Sequence, residues 1–350
     1  MTEAMKAPTV QRMSVDLGDS AIVERLAAHL SKELGTPARI QDFQRFTGGL
    51  SWITARFTLH TGRGNAMDEQ AFIIKVGSPD GLMAPYSSRP QATVLRALQG
   101  STVPVPAMRW DSDDTAILGA PFLVTDRVDG TELNPFTRDY GTADASVLAP
   151  VGEHLAQVLG DLQRVNWRAT GLVTLQGEDL SVSPGRAQAE FWRARLDRWV
   201  HKPYPLMDYA TDWLIRHSPV PERTVIVHGD YRVGNFLIEG QRITAMLDWE
   251  MTHLGDPHED LAWVMLPDMR VRGLISHEAF IERYEVASGL RVDERSLAYY
   301  AVFSLYKMVA INLGGQSGFL SGATDLRLVC LANNIPMFMS RLAQALEAAA

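Results

Sequence analysis

The sequence predicts an α+β chain in two lobes, a small sheet-rich one followed by a larger helical one. Short extended runs separated by turn residues dominate up to Gly130, and beyond it nearly every periodic segment has helical length and spacing. The exception is Val225–Asp248, where two short strands surround Glu239-Gly240 in an acidic stretch. With 350 residues, 46% apolar and 21% charged, the chain can bury a large core, which excludes disordered, collagen-like and low-complexity architectures.

Residues 1–18 read as a loose arm. A first lobe follows over 19–125, a hinge over 126–130 and a helical lobe over 131–350. Ile22, Leu26, Leu30 and Leu34 recur every four residues before Gly35, which predicts an amphipathic helix with its stop. Ile53–His60 and Ala71–Val76 read as strands, with Thr61–Asn65 as the turn between them. Pro90–Leu98 reads as a short helix, Val103–Pro106 must be extended, and Ile117–Val124 reads as another strand. Helices are predicted at Ala145–Val165, Arg186–His201, Leu206–His217, Glu278–Ser288, Leu297–Leu313 and Asp325–Ala349. The intervening strands are Phe236–Ile238 and Ile243–Leu247.

A formal charge of −8, from 33 basic and 41 acidic side chains, argues against non-specific nucleic-acid binding. The single cysteine, Cys330, cannot form an internal disulfide or a multi-cysteine zinc site, so a reducing, cytoplasmic setting is expected. The first twenty residues lack an apolar signal core. Ser304, Lys307 and Asn312 interrupt the longest apolar run, Leu297–Leu313, so it reads as a buried helix and no membrane partner is expected. The sequence is silent on oligomeric state.

The chemistry concentrates in His228-Gly229-Asp230-Tyr231-Arg232-Val233-Gly234-Asn235-Phe236 and in Leu247-Asp248-Trp249-Glu250. Between Ile226 and Asp260 lie seven acids and two bases. Such a cluster repels itself unless cations neutralise it. Taken alone, Asp-x4-Asn is a common polar hairpin with solvated acids. An Asp, four residues, an Asn and a second Asp after a strand is also the order of the protein-kinase catalytic core. There the first Asp takes the hydroxyl proton, while the Asn and second Asp hold magnesium on the nucleotide phosphates.

These strings, with Gly255-Asp256-Pro257 and Asp260-Leu261-Ala262, resemble the aminoglycoside phosphotransferase and choline-kinase family. The nearest likeness is to the kinase-like domain found in some acyl-CoA dehydrogenase family members, and it spans roughly residues 35–340. The resemblance implies a bilobal protein-kinase-like fold and ATP- and magnesium-dependent transfer of the γ-phosphoryl group to a small-molecule hydroxyl. It assigns Asp230 as the catalytic residue and Asn235 and Asp248 as metal ligands. Gly48, Gly49 and Ser51 would cover the nucleotide, Lys75 would meet its phosphates, and Asp126 and Val128 would meet adenine through their backbone.

Each assignment has a plainer alternative. Gly48-Gly49 is by itself a turn. Lys75 stands in the otherwise apolar strand Phe72–Val76 and must find an anion or snorkel to water. Asp256 and Asp260 fit helix capping as well as bracing of the catalytic loop. His253 and His258 beside carboxylates also admit a transition-metal site. One departure from the family stands out: the acid that usually pairs with the strand lysine aligns with Gln91, which cannot form an ion pair. A nucleotide-binding regulatory module or pseudokinase is therefore the rival to an active phosphotransferase.

The chain lacks a Walker P-loop, a Gly-x-Ser-x-Gly elbow, a His-Glu-x-x-His motif and a Gly-x-Gly-x-x-Gly loop. Beyond Leu266 acids and bases are evenly mixed, which suits a less cationic hydroxyl compound better than an aminoglycoside. The likeness to the dehydrogenase-linked domain adds hydroxyacyl compounds as one option.

Overall fold

The structure is a computed structural model that describes residues 16–63, 66–133, 145–172, 182–200, 202–323 and 325–349. Helix α1 (Asp19–Leu34) buries Ile22, Leu26 and Leu30 on one stripe and ends at Gly35, whose φ of 64° is open mainly to glycine. Strands β1 (Ala38–Arg45), β2 (Trp52–Arg63) and β3 (Ala66–Gly77) follow. Helix α2 (Arg89–Leu98), β4 (Met108–Ser112), the single turn α3 (Thr115–Leu118) and β5 (Phe122–Asp126) complete the lobe. The five strands pair antiparallel in the order β1-β2-β3-β5-β4.

Alternation along β3 decides where its lysine goes. Phe72, Ile74 and Val76 pack with Phe57 against the α1 stripe, so Ile73 and Lys75 face the other side of the sheet. Two sequence expectations need correction here. Thr61–Arg63 belong to β2 rather than to a turn, and Gly64 and Asn65 lie outside the described residues. The expected strand Ile117–Val124 is split. Asp114 accepts the Ala116 N–H and caps α3, Gly119 turns at φ 92°, and the strand starts only at Phe122. Strand β4 was not foreseen at all.

The helical lobe contains β6 (Thr131–Glu132), α4 (Ala145–Arg164), α5 (Pro184–Trp199), α6 (Pro205–His217) and β7 (Val225–Val227). The hairpin β8 (Phe236–Glu239) and β9 (Arg242–Met246), then β10 (His253–Gly255), lead to α7 (His258–Val264), α8 (His277–Ser288), α9 (Glu294–Leu320) and α10 (Arg327–Ala348). The expected arm at 1–18 falls largely outside the described residues. Helix α9 is longer than expected and is long and apolar enough to cross a membrane, yet 72% of its most apolar window is buried within the fold. Tyr300, Phe303, Tyr306 and Val309 fill the core with Trp192 of α5 and Leu214 of α6.

The lobes share a packed seam as well as the hinge. Ala92, Leu95 and Leu98 of α2 join one apolar cluster with Val151, Leu155 and Leu159 of α4 and with Trp249. Met246 N also donates to Pro104 O at 2.8 Å. Truncating a seam leucine such as Leu155 to alanine would cost about 2–5 kcal/mol, so the α2 edge of the first lobe is anchored to the second.

Candidate active site

The loop after β7 is bent by Gly229, at φ 85°, where a Cβ would come within 2.5 Å of Met251 O. Its amides are held from below: the fully buried Asp260 carboxylate accepts His228 N–H at 2.7 Å and Gly229 N–H at 2.9 Å. Asp260 thus braces this loop, while Asp256 accepts the His258 N–H at 2.9 Å at the start of α7. His228 Nε2 donates to Leu247 O at 2.8 Å and Nδ1 accepts the Asp230 N–H at 3.2 Å. That pattern needs a neutral ring, and burial, outweighing the nearby Asp260 and Asp230, depresses the imidazole pKa accordingly. One histidine therefore ties the Asp230 loop to the residue before Asp248.

Three donors fix the Asp230 carboxylate. Trp263 Nε1 reaches Oδ1 at 3.1 Å, while Asn235 Nδ2 and Arg232 Nε reach Oδ2 at 2.6 and 3.0 Å. Sequence reasoning missed Trp263 and the residue beneath it, Lys307. Only 2% exposed, Lys307 donates from Nζ to Gly229 O, lies 3.6 Å from Glu259 Oε1 and sits 4.6 Å from the Trp263 ring centroid. The available signal is a lysine inside the apolar run of α9, where a buried charge needs a partner. His253, considered as a metal ligand, instead meets Glu259 at 3.0 Å. Burial opposes its protonation, but Glu259 outweighs that and holds its pKa above the ordinary histidine value.

Lys75, opposite Thr54 and Leu123 in the sheet, crosses the cleft to Asp248, Nζ to Oδ1 2.9 Å. Burial would lower the lysine pKa, but Asp248 and Glu250 reverse that and raise it. Burial likewise opposes ionisation of Asp248, and Lys75 overcomes it, leaving that pKa low. Asp248 itself sits at φ 65°, a conformation Asp tolerates better than most side chains. Glu250 accepts Trp52 Nε1–H at 3.0 Å, and burial together with the Asp248 charge lifts its pKa to about 8. The lysine's acid is thus Asp248, and Gln91 is buried in α2 with no partner for its Nε2 among the described residues.

Gly48, Gly49 and Ser51 lie in the connection between β1 and β2. Only Gly49, at φ 78°, requires glycine on conformational grounds, and added Cβ atoms at either glycine would meet nothing within 4 Å. Thr47 O accepts from Arg327 Nη1 of α10 at 2.5 Å, which ties this loop to the second lobe. Ser51 bonds toward Glu250. At the hinge, the Asp126 amide already donates to Ala107 O, and its carboxylate takes Arg109 at 2.6 and 2.5 Å and Gln70 at 3.2 Å. An adenine contact by the Asp126 amide or carboxylate would have to displace these partners. Val128 lies half-buried in the connection between β5 and β6.

The donor set suits a hard cation. Asn235 gives its amide protons to Asp230 O and Oδ2, so its remaining polar atom is the oxygen Oδ1, and Asp248 supplies an ionised carboxylate nearby. A carboxylate-bearing loop, a strand lysine and a second aspartate converging between a sheet lobe and a helical lobe define a kinase-like phosphotransferase architecture. Residues 42–300 match the model of the APH phosphotransferase enzyme family, and the chain belongs to that family. Relatives include acyl-CoA dehydrogenase family member 10 of Mus musculus, 24% identical over 303 residues. That match takes in 79% of this chain and 27% of the mouse protein. Family member 11 of Gallus gallus is 26% identical over 276 residues, 72% of this chain and 34% of its own length. The chain therefore spans about a third of the curated relatives it matches.

Solved structures share the fold. A candidate aminoglycoside phosphotransferase from Ralstonia eutropha superposes with a TM-score of 0.67 at 21% identity, covering 93% of this chain and 98% of that one. An aminoglycoside phosphotransferase solved with AMP-PNP and hygromycin B gives 0.56 at 14% identity, covering 92% and 97%. A Plasmodium vivax ethanolamine kinase gives 0.56 at 13% identity, covering 87% and 81%.

Proposed function

We propose that the chain is an ATP- and magnesium-dependent phosphotransferase that moves the γ-phosphoryl group to a hydroxyl of a small molecule. The observation that carries this reading is the Asp230 carboxylate, fixed by Trp263, Asn235 and Arg232 in the loop that His228 ties to Asp248. Held in one orientation, Asp230 accepts the acceptor's hydroxyl proton and aims its oxygen, which is most of what a phosphoryl-transfer protein has to do. Lys75 contacts nucleotide phosphates after parting from Asp248, and Gly48, Gly49 and Ser51 close over them. Asn235 Oδ1 and Asp248 hold magnesium, which when bound neutralises charge on the phosphate oxygens. The backbone of Asp126 and Val128 would face the base, the Asp126 amide giving up its bond to Ala107 O to do so. The family membership and the likeness to a structure solved with AMP-PNP support nucleotide use.

The second reading is a nucleotide-binding module without turnover, favoured by one observation, that helix α2 offers the strand lysine the amide of Gln91 rather than the acid the resemblance implies. Magnesium-ATP should raise the melting temperature under both readings, because a ligand bound only to the native state stabilises it. ADP production across sugars, amino alcohols, hydroxyacyl compounds and aminoglycosides separates them. An unchanged melting curve at millimolar nucleotide, with and without magnesium, contradicts both.

A further inference from the structure

A cavity of about 390 Å³ lies between the lobes beside the catalytic loop. Lys307, which donates to Gly229 O, lines it, as does Glu250, two residues past Asp248. Its walls include Trp52 and Tyr86 from the first lobe and Phe191 and Trp192 from α5, so it has room and apolar surface for the body of a small molecule.

Its polar groups are mainly donors. The Arg195 guanidinium lies 4.8 Å from the Phe191 ring centroid and 5.7 Å from that of Trp199. Its one hydrogen bond is a long one, Nη1 to Met83 O at 3.3 Å, its Nε has no partner, and no carboxylate forms an ion pair with it among the described residues. Gln91, 2% exposed, offers a second unpartnered donor in Nε2. Glu250 is the one carboxylate in the lining, and it accepts the Trp52 Nε1–H at 3.0 Å. Lys307 adds positive charge, and His253 beside it faces Met251 O at 2.9 Å and Glu259 Oε2 at 3.0 Å with its two ring nitrogens.

Resting on the proposed phosphotransferase function, we infer that this cavity is the acceptor site and that it takes a hydroxy compound with an apolar body and one carboxylate, which Arg195 holds. A guanidinium stacked on aromatic rings and lacking an ion partner binds a carboxylate through charge-assisted hydrogen bonds, and the same wall repels an ammonium. This acceptor class differs from the hygromycin B and ethanolamine named for the structural relatives.

The test is calorimetric titration of the full chain with three matched ligands: phenyllactate, the neutral phenylpropanediol and the amino alcohol phenylalaninol, with gentamicin as a fourth. Phenyllactate should bind saturably, about tenfold or more tighter than the diol, and phenylalaninol more weakly than the diol. Arg195→Met should erase the advantage of the acid, and Arg195→Lys should restore only part of it. Equal or tighter binding of phenylalaninol or gentamicin, no binding of phenyllactate, or an acid preference that survives in a folded Arg195→Met overturns the inference. If Arg195→Met does not fold, the order of the ligands on the parent protein decides. Magnesium and AMP-PNP are titrated separately, so loss of nucleotide binding counts against the proposed function and a wrong ligand order counts against the acceptor class.

Discussion

Lys75 Nζ and Asp248 Oδ1 are 2.9 Å apart and come from opposite lobes, so one ion pair closes the cleft between the sheet and the catalytic loop. The pair explains how the strand lysine is satisfied although α2 offers it an amide rather than an acid.

Asp248→Asn should therefore lower stability by about 1–2 kcal/mol, since it leaves a half-buried ammonium with a weaker partner. Asparagine is the cleaner replacement, because alanine at φ 65° adds backbone strain. The variant should also lose the magnesium dependence of ATP affinity. Dissociation constants measured with magnesium and with a chelator check this, and a preserved dependence would remove Asp248 from the metal site.

Trp263→Phe keeps the ring under the loop and deletes the donor to Asp230 Oδ1. A hydrogen bond to a charged group contributes about 1.5–3 kcal/mol, so kcat should fall roughly tenfold or more with little change in ATP affinity. Lys307→Met should instead act on stability, by about 3–5 kcal/mol, because it strands Glu259 and His253 with one buried cation fewer. A chemical denaturation curve for Lys307→Met that overlays the parent would contradict that role.

Glu250→Gln should stabilise the apo protein in a pH-dependent way. A carboxyl whose folded pKa is raised from 4.5 to about 8 disfavours folding increasingly as pH climbs through that window, since the unfolded chain releases its proton first. The gain in melting temperature should be small near pH 5, grow up to pH 8 and then level off. Glutamine still accepts the Trp52 N–H. A gain that shrinks with rising pH would show that Glu250 is ionised in the fold.

Much of the fold was legible because local rules decided it. The α1 stripe, the glycine stops and the spacing from His228 to Asp248 are visible along the chain. The split at Leu118–Phe122 was not, because a capping aspartate and one left-handed glycine outweigh an apolar run that reads as a strand. The same limit applies to the site. Asp230, Asn235, Lys75 and Asp248 carry a recognisable order, whereas Trp263, Lys307 and Arg195 act through contacts between segments up to 112 residues apart. Nothing in local periodicity distinguishes such residues from ordinary core or surface positions.

Asp230→Asn, assayed once an acceptor is in hand, removes the carboxylate that takes the acceptor proton. Asparagine can keep contacts with Arg232 and Trp263 through its oxygen but cannot hold a proton or a negative charge. General-base contributions are about 10² to 10⁴-fold, so kcat should fall by at least that order. The ATP dissociation constant should change far less than kcat, because Lys75, Asp248 and the glycine loop are untouched and only the Asn235 Nδ2 bond to Oδ2 loses its acceptor. A variant that turns over at near-parental kcat while binding ATP would remove Asp230 from the proton-accepting role.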